Sequence, residues 1–64
     1  MILWKKTNNS DYESSDGRFR ILKDHDRKYG NNWYLLDYNE RDYHKGIYPE
    51  MTLRECKLRA ETLT

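Results

Sequence analysis

Residues 52–63 read Thr52-Leu53-Arg54-Glu55-Cys56-Lys57-Leu58-Arg59-Ala60-Glu61-Thr62-Leu63, the strongest local signal in the chain. Thr52 followed three residues later by Glu55 is the capping-box pattern, in which the hydroxyl accepts from the Glu55 N–H and the carboxylate reaches back. Met51 and Cys56 occupy the two staple positions around that cap. Leu53, Cys56, Ala60 and Leu63 then share one stripe at helical spacing. Glu55 and Arg59 are spaced for a favourable i,i+4 pair. The pattern predicts a helix from about Thr52 to about Leu63, with one apolar side that must be covered.

Working backwards, the cover is a sheet. Turn-forming clusters stand at Asn8-Asn9-Ser10, Ser14-Ser15-Asp16-Gly17, Tyr29-Gly30-Asn31-Asn32, Asn39-Glu40-Arg41-Asp42 and Pro49-Glu50. Between them lie runs of strand length. Arg18-Phe19-Arg20-Ile21-Leu22 alternates with period two, Phe19 and Ile21 facing one way and both arginines the other. Trp33 to Tyr38 is rich in strand formers and apolar on both faces. Tyr43 to Tyr48 reads as a weaker strand, Asp11 to Ser14 as a short edge, and Trp4 as an anchor folded onto the sheet. Short connections imply an antiparallel meander. The expectation is one α+β domain spanning residues 1–64: a three- to four-stranded antiparallel sheet with one C-terminal helix on one face.

Composition bounds this picture. A chain of 64 residues buries only about 60% of the surface its unfolded form exposes, so the core must be thin. Apolar and charged residues each make up 36%, and the mean hydropathy of -1.24 approaches the disordered range. Two Trp, six Tyr and one Phe offset this by supplying large buried areas from few positions. The net charge is +1, from twelve basic and eleven acidic residues, so electrostatics nominates no polyanionic partner. One cysteine excludes an internal disulfide, and no apolar run approaches a membrane span. Met1-Ile2-Leu3-Trp4 is too short for a signal sequence. These features read as a cytoplasmic protein without membrane association.

Chemistry is hard to find. Asp24-His25-Asp26 and His44 are the candidate metal ligands, but zinc needs three or four converging donors and neighbouring strand residues point to opposite faces. A solvated turn accounts for Asp24 to Asp26 better. Cys56 falls on the buried stripe, away from the electropositive, exposed setting that activates a thiol. No catalytic residue, metal site or cofactor is expected, and the chain reads as a non-enzyme.

Binding is the remaining class. The chain has eight Tyr and Trp residues, more than so small a core can hide, and these types with Arg dominate interface hot spots. If one helix covers one face, Tyr34, Leu36 and Tyr38 fall on the other, beside Arg18 and Arg20. Leu58 lies roughly opposite the Leu53/Cys56/Ala60 stripe. Surplus apolar surface implies a protein partner or a homodimer. Tyrosines lying flat across the sheet with their hydroxyls in water would be the functionless alternative.

The stretch Gly46-Ile47-Tyr48 … Thr52-Leu53-Arg54-Glu55-Cys56-Lys57 … Ala60-Glu61 resembles a motif of small phage and mobile-element proteins. It is also similar to the end of the AP2-like arm-binding domain of tyrosine integrases, a three-stranded sheet plus helix, although Cys56 stands where alanine is usual. Asp16 to Ile21 and Trp33-Tyr34-Leu35 fit the strands of that pattern. The resemblance implies a phage or mobile-element accessory protein. Such a protein would dock on a host or phage protein, for example to inhibit a host factor or a defence nuclease. It implies as the alternative a small DNA-binding domain with its sheet in the major groove. Arg18 and Arg20 would then read bases, and Lys5, Lys23 and Lys28 would hold phosphates. Asp24, Asp26, Asp37, Glu40 and Asp42 are expected to border that same surface.

Overall fold

A computed structural model describes residues 2–8, 10–28, 30–42 and 45–64. The chain is a five-stranded antiparallel sheet followed by one helix. The strands are β1 (Trp4–Lys6), β2 (Tyr12–Ser14), β3 (Phe19–Lys23), β4 (Trp33–Asp37) and β5 (Ile47–Glu50), and the helix α1 is Leu53–Thr62. Sheet order equals chain order, so the meander and the α+β class are as the turn spacing implies. The strand count is higher than expected, for two reasons. Trp4 is not an isolated anchor but opens β1, which pairs with β2 from Trp4↔Ser14 to Lys6↔Tyr12. Tyr12–Ser14 is therefore an interior strand. The last strand also runs later than expected, through Pro49 and Glu50, which were read as a turn. Tyr43 and His44, the start of the expected strand, lie outside the described residues.

Alternation assigns every strand residue to a face. Phe19, Ile21 and Leu35 turn to the helix and are fully buried with Cys56 and Ala60. Ile2, Trp4, Tyr12, Trp33, Tyr48, Leu53 and Leu63 complete this layer at its margins. Packing of α1 against β3, β4 and β5 is what buries it.

The helix ends are fixed locally. Thr52 is the N-cap, its Oγ1 accepting from the Glu55 N–H at 3.1 Å. The Glu55 carboxylate accepts from the Thr52 hydroxyl at 3.3 Å, a variant of the reciprocal box. The staple does not form, because Met51 is 70% exposed while Cys56 is buried. Arg59 reaches Glu50 of β5 at 3.0 Å rather than Glu55, tying helix to sheet. The first helical turn is thus set by sequence-local bonds and the middle by tertiary ones.

Candidate binding surface on the second sheet face

The second face follows from the register. One cross-strand row runs Lys5, Glu13, Arg20, Leu36, Ile47, and the next runs Leu22, Tyr34, Pro49. Charge sits at the β1–β2 end and apolar side chains at the β3–β5 end. Leu22, Tyr34, Leu36, Ile47 and Pro49 are each half-buried. Among the described residues no helix or strand packs on this face, since all helix contacts are with the other. Beyond the end of β4, Tyr38 is 58% exposed and lines a shallow depression with Leu36, Glu40 and Gly46.

Arg20 is held loosely here. Its guanidinium contacts Asp11 at 3.5 Å, and its buried Nε has no hydrogen-bond acceptor among the described residues. An unsatisfied buried donor is costly, so a better acceptor would be favoured.

Two of the expected contact residues stand elsewhere. Arg18 precedes β3 and turns to the helix side. Its Nε and Nη2 meet the two Asp37 carboxylate oxygens at 3.1 and 3.3 Å. Nη2 also donates to the Leu63 carbonyl at 2.9 Å, and the guanidinium stacks 4.6 Å from the centre of the Phe19 ring. The Asp37 bonds raise the Arg18 pKa above its usual value. Asp37, expected on the rim of the second face, is buried on the first. The physical reason is the orphan carbonyl at the helix C-terminus, which a forked cation satisfies while cancelling the carboxylate. Leu58 is exposed on α1, in a groove with Glu50, Glu55, Arg59 and Thr62, on the opposite side of the sheet from Leu36. The fold therefore brings together Arg20, Tyr34, Leu36 and Tyr38 but not Arg18 or Leu58. It adds Leu22, Ile47 and Pro49. Leu22 continues the Arg18–Arg20 alternation and was legible; Pro49 was hidden by its reading as a turn.

The lysines of the DNA-binding alternative scatter. Lys5 lies on the second face at β1, Lys23 reaches over the Trp33 ring (5.5 Å) on the first, and Lys28 sits in the β3–β4 loop. In that loop Asp24 accepts from the N–H groups of Asp26 (2.9 Å) and Lys28 (3.0 Å), so its carboxylate organises the turn. No group of three potential metal ligands converges among the described residues, and His44 lies outside them. Burial, with Glu50 and Glu55 nearby, pushes the Cys56 thiol up to about 12.

No protein-family model, curated protein or solved structure matches this chain.

Proposed function

We propose that this protein is a non-enzymatic binding module that docks a partner protein on the second face of its sheet. The observation that carries the reading is the contiguous apolar half of that face, Leu22, Tyr34, Leu36, Ile47 and Pro49, over which no element folds among the described residues. Partly exposed apolar side chains collected in one place on a small domain suit an interaction site. Tyr38 extends the surface, and Arg20 at its edge would take a carboxylate of the partner in place of its weak contact to Asp11. The likeness of the Gly46–Glu61 stretch to phage and mobile-element proteins supports an accessory role, such as restraining a host enzyme. DNA binding is the weaker reading, because Arg18 is engaged with Asp37 and the three lysines share no surface.

The test is a pull-down from host lysate with and without nuclease, comparing the natural chain with Leu36→Asp and Tyr34→Ser/Tyr38→Ser variants of matched melting temperature. The proposal expects a captured protein that survives nuclease and is lost with either variant. Equal capture by the variants, or capture abolished by nuclease, contradicts it.

A further inference from the structure

The two edges of the sheet differ in what they offer another strand. In β5 the residues bonded to β4 are Gly46, Tyr48 and Glu50, as the Asp37 N–H to Gly46 carbonyl bond (2.9 Å) and the Leu35↔Tyr48 register require. Ile47 and Pro49 therefore direct their backbones outward, and Pro49 has no N–H to give. That edge cannot complete a ladder with another strand.

At β1 the bonds from the Ser15 N–H to the Leu3 carbonyl (2.8 Å) and from the Thr7 N–H to the Asp11 carbonyl (2.9 Å) put Leu3, Lys5 and Thr7 in the bonded set. Ile2, Trp4 and Lys6 thus point outward. The Ile2 N–H is taken by the Glu61 carboxylate at 3.1 Å, and among the described residues the N–H and C=O of Trp4 and Lys6 remain open ladder positions. Charge surrounds them. Lys5 projects on the second face, while the ammonium groups of Lys6 and of Lys57 on the helix both lie over the Tyr12 ring, at 6.0 and 5.1 Å. None of the three lysines is in an ion pair among the described residues. Of the nearby carboxylates, Glu61 holds Ile2, Glu13 lies in register between Lys5 and Arg20, and Asp16, in the same depression as Lys5, accepts from Ser14 and the Arg18 N–H.

Lysines on an edge repel a second copy of the same edge. They select rather than forbid, because an acidic strand meets attraction where a second β1 meets repulsion. We infer that β1 is a strand-addition site for an extended acidic segment of a partner protein. The segment's backbone would pair with Trp4 and Lys6 and its carboxylates with Lys5, Lys6 and Lys57. This site lies at the opposite edge from the apolar half of the second face and does not depend on it.

The probe is an acetylated, amidated Val-Glu-Val-Glu-Val peptide titrated into the full chain and followed by amide NMR. The expected result is shifts centred on Trp4, Lys5 and Lys6, slowed exchange at the Trp4 and Lys6 amides, and binding at least tenfold weaker for Lys6→Glu. Leu36→Asp should leave it unchanged, which separates this site from the proposed docking face. Val-Lys-Val-Lys-Val and a backbone N-methylated acidic peptide should not bind. Equal affinity for either control, or shifts confined to Leu22, Tyr34 and Leu36, overturns the inference. The control peptides test it on the natural chain even if a Lys6 variant folds poorly.

Discussion

Ser14 holds the turn between β2 and β3 to one hydroxyl. It is 3% exposed, its Oγ accepts from the Phe19 N–H at 2.9 Å, and it donates to Asp16 at 2.7 Å. Those bonds shape the β2–β3 turn, where Gly17 takes φ +76°, and hold the Asp16 carboxyl below its usual 3.8. Ser14→Ala leaves the buried Phe19 N–H without an acceptor, so urea denaturation should show a loss of about 1–3 kcal/mol. Cys56 gives a pH prediction. Its folded pKa of about 12 stands above the ordinary 9.0, so the folded state favours the neutral thiol. The resulting stability is whole below about pH 9 and declines as pH rises toward 12. Melting temperatures should fall over that window, and less so for Cys56→Ala. A thiol reagent at pH 8 should label Cys56 only as fast as the chain unfolds.

Among the elements, α1 was the most legible, because a cap and a 3.6-residue stripe are both local in sequence. Thr52→Ala should cost about 1 kcal/mol by chemical denaturation. β3 and β4 were legible from alternation and β-branched or aromatic content. β1 and the true span of β5 were not, since three residues with two lysines, or a strand containing proline, carry no periodic signal. Both exist because a neighbouring strand offers its free edge, a tertiary cause. Gly46 shows the same limit. A Cβ there would lie 3.0 Å from the Asp37 carbonyl oxygen and 3.2 Å from Glu40 Cβ, a close approach that no local pattern announces. Gly46→Ala should destabilise by about 1–3 kcal/mol in the same denaturation assay. The Arg18–Asp37–Leu63 junction was likewise invisible: period two put Arg18 beside Arg20, but Arg18 lies just before β3, where a helix end 45 residues away recruits it.

At the scale of the molecule, the five fully buried apolar residues among those described make a small core, and marginal stability is the general expectation for a chain of this size. The sequence contained the surplus: Trp33–Tyr38 is apolar on both faces, and one helix covers one. Which residues share the uncovered side could not be read without the register, which exchanged Arg18 and Leu58 for Leu22, Ile47 and Pro49. The two edges differ as well, one closed by proline and the other guarded by lysines.

The most direct test is solvent paramagnetic relaxation of side-chain methyl groups in the free protein, read with a neutral soluble probe. Strong enhancement at Leu22, Leu36 and Ile47, with Ile21 and Leu35 protected, is the predicted result. Equal protection of both sets would mean that the second face is already covered, and would contradict the account.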